Sequence, residues 1–207
     1  MIKFVVFICG AIVMSFEILG SRVLAPNFGS SVFVWGSLIS IFLTGLSAGY
    51  YLGGRLADIN PSSRKLSLII IAPGFLFLTF PLYSGSISDW IFVQDLGVRM
   101  SPLIASSALF LVPSVFLGIV SPYTAKLMIC SLHTSGKTLG TLYALSTFGS
   151  IIGTLITSFY LITLAGVNAL IMGQGVLLIV LAIPLYFMNL SCSINLQDPD
   201  SGMNDTK

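Results

Sequence analysis

The sequence predicts an all-α integral membrane protein folded as a six-helix bundle, and three observations predict it. Apolar residues make up 56% of the chain and charged residues only 8%, too little polar surface to coat a water-soluble globule of this length. The apolar residues gather into six segments, at about 2–24, 32–54, 66–84, 103–126, 138–162 and 167–189, each close to the roughly 20 helical residues that cross a hydrocarbon core. Lysine and arginine are divided unevenly between the connecting segments. Lys3, Arg55, Arg64, Lys65, Lys126, Lys137 and Lys207 fall on one side, and Arg22 and Arg99 on the other. The positive-inside bias therefore predicts that both termini are cytoplasmic, in a cytoplasmic (inner) membrane.

The first segment carries Glu17 inside an apolar run, where an unpaired carboxylate costs several kcal/mol. Gly10, Glu17 and Ser21 share a helix face at spacings of seven and four, which predicts a carboxylate pointing into the bundle with room beside it. Two readings stand. Glu17 binds a cationic substrate or cycles a proton, or it is structural, accepting hydrogen bonds from a neighbouring helix or pairing with Arg22. Lys3 before an apolar run imitates a signal peptide, but Glu17 and the lack of a small-residue cleavage site favour a retained helix.

The second segment ends in a glycine stripe, Gly45, Gly49 and Gly53, spaced by four so that another backbone can approach one face. Gly54, Arg55, Asp58, Arg64 and Lys65 follow at the boundary. The third segment is interrupted by Pro73 and Pro81, which membrane helices tolerate when neighbours satisfy the freed carbonyls. The loop around Asp89 and Asp95 reads as external, with Tyr83, Trp90 and Phe92 suited to an interfacial amphipathic element. Pro113, Gly118 and Pro122 predict a kinked fourth helix, with Lys126 snorkelling to the headgroups.

The fifth segment has a stripe of Tyr143, Thr147, Ser150, Thr154 and Ser158 with Gly149 and Gly153 alongside. It is either a polar path or the ordinary small-residue packing of membrane helices. The transmembrane domain is expected over 1–190. The tail 191–207 changes to Asp, Pro, Gly and Asn and reads as a disordered cytoplasmic end.

The ordered residues Glu17-Ile-Leu-Gly-Ser-Arg22-Val-Leu-Ala-Pro26-Asn-Phe-Gly29, Trp35-Gly36, and Gly45-Leu-Ser-Ala-Gly49-Tyr-Tyr-Leu-Gly53-Gly54-Arg55-Leu-Ala-Asp58 resemble the membrane domain of the membrane-bound spermidine synthase-like family. Gly118-Ile-Val-Ser-Pro122-Tyr and Gly140-Thr-Leu-Tyr143-Ala-Leu-Ser146-Thr-Phe-Gly149-Ser-Ile-Ile-Gly153-Thr continue the likeness, which covers about residues 10–185. Members often carry a soluble aminopropyltransferase-like domain after the last helix. The glycine-rich and acidic segments of that domain are missing here, so synthase activity is not expected of this chain. Gly54, Arg55, Asp58, Arg64 and Lys65 also resemble the loop between the second and third helices of one six-helix half of a major facilitator transporter. That resemblance implies a conformational latch, and a dimer or a partner to complete the machine.

Other chemistry is poorly supplied. Cys9, Cys130 and Cys192 have no disulfide or zinc spacing, and His133 has no second ligand or nucleophile near it. Ser131-Leu-His-Thr-Ser-Gly136-Lys137-Thr138 imitates a phosphate loop, but begins with Ser and follows no strand. The formal charge of +2 gives no reason to expect nucleic acid. The expectation is a non-enzyme without cofactor or metal. It is a transport or substrate-handling module for a polyamine or similar amine, acting as a homodimer or beside a synthase-like subunit, with Glu17, Ser21, Tyr143, Thr147 and Ser150 as binding candidates. The alternative is a membrane anchor that assembles a partner enzyme through the glycine stripes.

Overall fold

A computed structural model describes residues 1–59, 61–128 and 135–188; Cys130, His133, Cys192 and the 191–207 tail lie outside them. Six helices are long and apolar enough to cross a membrane. They are α1 (Ile2–Phe28), α2 (Val32–Asp58), α3 (Ser63–Val93), α4 (Gly97–Met128), α5 (Ser135–Ile156) and α6 (Val167–Phe187). A π-helical turn, Thr157–Leu161, and a last turn, Ile162–Leu164, extend α5.

The first four helices, and α5 together with its π-helical and last turns, outrun their apolar segments, because polar ends that cannot sit in hydrocarbon still complete backbone hydrogen bonds; α6 instead stops at Phe187, short of the expected 189. Gly29, at φ 71°, ends α1 by returning its N–H to Ala25 O at 2.9 Å, a left-handed exit natural to glycine. Ser31 caps α2 by accepting from Val34 N at 3.4 Å, and Ser62 caps α3 by accepting from Arg64 N at 3.2 Å. Helix α3 runs unbroken through Pro73 and Pro81. It also absorbs Asp89, Trp90 and Phe92, so the separate interfacial element expected there is instead the final turns of α3.

The helices associate chiefly as three pairs, α2 on α4, α3 on α6 and α1 on α5, with α3 also against α4. The first pair runs parallel. An ideal Cβ at Gly45 would stand 2.6 Å from Ser114 Cβ, and one at Gly53 2.7 Å from Ile119 O; Gly49 meets the backbone of Val115 and Gly118. The stripe thus buries itself within the chain. Gly149 and Gly153 do the same against the backbones of Phe7 and Ala11. Gly74 and Gly175, which the sequence reading passed over, let α3 approach α6.

The centre of the bundle is aromatic. Phe16, fully buried, has ring centroids of Phe77, Phe110, Phe42 and Phe80 at 4.3, 5.3, 5.5 and 5.7 Å. In lipid such a hub acts through packing rather than through exclusion of water, with each good aromatic pair contributing about 0.5–1.5 kcal/mol.

Cross-contacts define two ends. At one, Asp58 of α2 meets Lys126 of α4, Tyr123 of α4 meets Ser62, and Ser63 of α3 donates to Met188 O after α6; Val6 near the start of α1 packs with Ala125 and Leu142. At the other, Asn27 donates to Asp89 at 2.7 Å and Phe28 meets Phe92.

Candidate substrate groove

Between the α2/α4 pair and the α1/α5 pair lies an open groove of about 480 Å³. Helix α1 stands between the aromatic core on one side and α5 on the other, and the sector of α1 between these two faces borders the groove. Cys9, Gly10, Val13 and Met14 supply it. Opposite stand Leu46 and Tyr50 of α2, Leu117, Ser121 and Pro122 of α4, and Tyr143, Ser146, Thr147 and Ser150 of α5. The lining is rich in hydroxyl groups and contains no lysine or arginine.

The structure brings three of the five binding candidates, Tyr143, Thr147 and Ser150, to this groove. Their availability differs. Ser150 Oγ donates to Gly10 O at 3.1 Å and to Ser146 O at 3.0 Å, so its hydroxyl is engaged in seating α5 on α1. Tyr143 and Tyr50 are about half exposed. Ser21 is not part of the lining; its hydroxyl bonds its own helix, at Ile18 O, 2.7 Å.

Glu17 does not point into the bundle core, because one residue earlier Phe16 fills that position and successive helical side chains diverge by about 100°. It is half-buried and continues the face of Gly10 and Met14. That places it about 4.5 Å along the helix beyond Met14, past the end of the groove lining. Glu17 makes no hydrogen bond or ion pair with any described residue, and its pairing with Arg22 does not form.

The stripe of α5 is corrected at its far end. Ser158 is exposed and Thr157 is buried. Thr157 opens the π turn, whose wider winding breaks the α-helical spacing on which the stripe was drawn. It hydrogen-bonds Ser15 Oγ at 2.5 Å, and Gln174 Nε2 of α6 donates to the same Ser15 oxygen at 2.6 Å. Sequence reasoning missed this three-helix polar cluster. Gln174, an amide amid an apolar helix, was its one visible signal.

The latch candidates do not converge on a single cluster. Asp58 pairs with Lys126 Nζ at 2.8 Å, so Lys126 is an ion-pair partner and does not simply extend to the headgroups. Arg55 lies over the Tyr51 ring at 4.5 Å and Arg64 over Tyr186 at 5.9 Å, while Lys65 donates to Ile59 O at 2.8 Å. Gly54 faces open space. The short loop is instead tied down by Tyr123, whose hydroxyl accepts from Ser62 N at 3.1 Å.

What this arrangement defines is a class: an all-α, multi-pass membrane protein with a hydroxyl-lined groove among four of its helices. No family model, curated protein or solved structure matches the chain.

Proposed function

We propose that this chain is a non-enzymatic transport or substrate-handling module for a small cationic molecule, a polyamine or a related amine. The observation that carries the reading is the groove itself. It is lined by Tyr50, Tyr143 and other hydroxyl-bearing side chains and is free of basic ones, with an unpaired carboxylate further along the same face of α1. A cation gains from each of these features, through ring quadrupoles and through a carboxylate that lacks a partner in an apolar setting. Of these features an anion gains only from the hydroxyls, which donate as well as accept.

The likeness to the membrane half of spermidine synthase-like proteins supports the same substrate class. The cation-rich end of the bundle is assigned to the cytoplasm of the inner membrane, and the groove opens nearer that end. A second copy or a separately encoded synthase-like subunit would complete the machine. The anchoring alternative loses its proposed docking surface, since Gly45, Gly49, Gly53, Gly149 and Gly153 are all consumed in contacts within the chain.

The test is uptake of radiolabelled spermidine into proteoliposomes. Wild-type protein is expected to exceed empty vesicles. Glu17→Gln is expected to lower uptake about tenfold, the equivalent of roughly 1.4 kcal/mol of lost interaction, with an unchanged elution profile. Uptake that is indifferent to Glu17→Gln, or no greater than in empty vesicles, rejects the proposal.

A further inference from the structure

At the opposite end of the bundle, α1, α3 and the start of α6 line a second open cavity of about 480 Å³, whose chemistry is the reverse of the groove's. Arg22 enters it from α1. Its guanidinium has no carboxylate within salt-bridge distance and no other polar partner among the described residues. The nearby carboxylate, Asp89, is bonded by Asn27 instead, at 2.7 Å. Arg22 closes an apolar run, so its stem lies along hydrocarbon while its charge reaches headgroup level.

The start of α6 forms another wall through Gly166, Val167 and Asn168. Gly166 has no side chain with which to cap the helix, and the first backbone bond of the helix is Leu170 N to Gly166 O, 3.1 Å. The amides of Val167, Asn168 and Ala169 consequently have no acceptor within the helix, at the end where the helix dipole favours negative charge. On the α3 wall, Ser88 is only 3% exposed and its hydroxyl has no hydrogen-bond partner. Ser84 beside it is 4% exposed and likewise forms no hydrogen bond among the described residues. A buried hydroxyl left unbonded costs stability unless a ligand completes it.

We infer that this cavity binds a phosphate-type oxyanion, either free or carried on a lipid headgroup. Arg22 supplies a planar two-pronged donor matched to such an anion, the first turn of α6 supplies backbone N–H groups, and Ser84 and Ser88 supply hydroxyl donors from the other side. The Asp89 carboxylate, held by Asn27, marks the acidic edge of the site. The inference is independent of what the groove carries.

The experiment compares full-length wild type, Arg22→Gln and Asn168→Asp, with Arg99→Gln as the control. Arg99 shares this end but lies over the Phe33 ring at 5.4 Å, outside the cavity. Asn168→Asp keeps a helix-favouring residue in the first turn while placing a carboxylate where the anion would sit. Each protein is reconstituted in nanodiscs of phosphatidylcholine with or without phosphatidylglycerol. Bound phosphatidylglycerol is counted by native mass spectrometry, and inorganic phosphate is titrated calorimetrically in the phosphatidylcholine discs.

Wild type and Arg99→Gln are expected to retain one phosphatidylglycerol or to bind phosphate. Arg22→Gln and Asn168→Asp are each expected to be about tenfold weaker, in keeping with loss of one charge-assisted contact, at unchanged thermal stability. Retention of lipid that phosphate does not displace identifies a headgroup site, and phosphate binding without phosphatidylglycerol identifies a free-anion site. Equal binding by wild type and both variants, or binding of neither ligand by wild type, overturns the inference.

Discussion

Gln174 Nε2 donates to Ser15 Oγ over 2.6 Å, joining α6 to α1 at a point where Ser15 also bonds Thr157 of α5. One small hydroxyl therefore ties three membrane helices together. Gln174 Oε1, on the same amide, is buried and has no partner.

This asymmetry separates two substitutions that look alike. Ser15→Ala leaves both Gln174 and Thr157 without their shared partner and is expected to cost about 1–3 kcal/mol. Gln174→Leu removes one hydrogen bond but also the unbonded Oε1, and is expected to lie within about 1 kcal/mol of wild type. Unfolding by a denaturing detergent reads both. A Ser15→Ala protein as stable as wild type would show that the cluster contributes nothing.

The glycine stripe predicts a contrast between neighbours. Gly49→Leu would drive a side chain into the backbone of Val115 and Gly118. Backbone cannot yield as a flexible side chain does, so the cost is expected to exceed the ~1–3 kcal/mol of ordinary overpacking. Gly54→Leu enters open space and is expected to be tolerated. Size-exclusion profiles and melting temperatures of the two proteins decide it; equal behaviour would count against the α2–α4 packing.

The Asp58–Lys126 pair is expected to be weak as a stabiliser. Its side chains are 69% and 38% exposed, respectively, and exposed pairs contribute about 0–1 kcal/mol and lose that in salt. A double-mutant cycle with Asp58→Asn and Lys126→Met should return a coupling below about 1 kcal/mol. A much larger coupling would mean that water is excluded from the pair and that the loop is held more firmly than the exposures imply.

The two faces of α5 predict a labelling pattern. With Cys9, Cys130 and Cys192 replaced by alanine, Thr147→Cys in the groove should react with a membrane-impermeant maleimide. Thr157→Cys, at 1% exposure, should not. Reaction from the side bearing the Asp58–Lys126 pair also reports which way the bundle faces. Protection of Thr147→Cys would mean that the groove is closed to water.

Much of the architecture was legible because it is written one residue at a time. Apolar length defines a membrane helix wherever it lies, so all six spans were expected, although their polar end turns were not. Residue size is equally local, and Gly45, Gly49 and Gly53 announced a close-packed face before α4 was known to fill it. The groove was half legible. Tyr143, Thr147 and Ser150 could be placed on one stripe from their spacing, but spacing does not say that Ser150 is already bonded to Gly10.

The sequence by itself determined the class of the protein, the number of its spans and the faces fit for packing, since hydropathy and side-chain volume act locally along the chain. Tertiary structure alone decided which polar groups have partners. Ser15 and Thr157 are 142 residues apart and Ser15 and Gln174 are 159 apart, and the π turn rotates Thr157 into that meeting against the regular helical spacing. Glu17 shows the converse: its neighbour Phe16 took the core, and a carboxylate expected to face inward was left half-buried beyond the end of the groove, without a partner among the described residues. A hydrogen bond depends on ångström-scale distance and direction between groups on different helices, and no one-dimensional pattern carries that information.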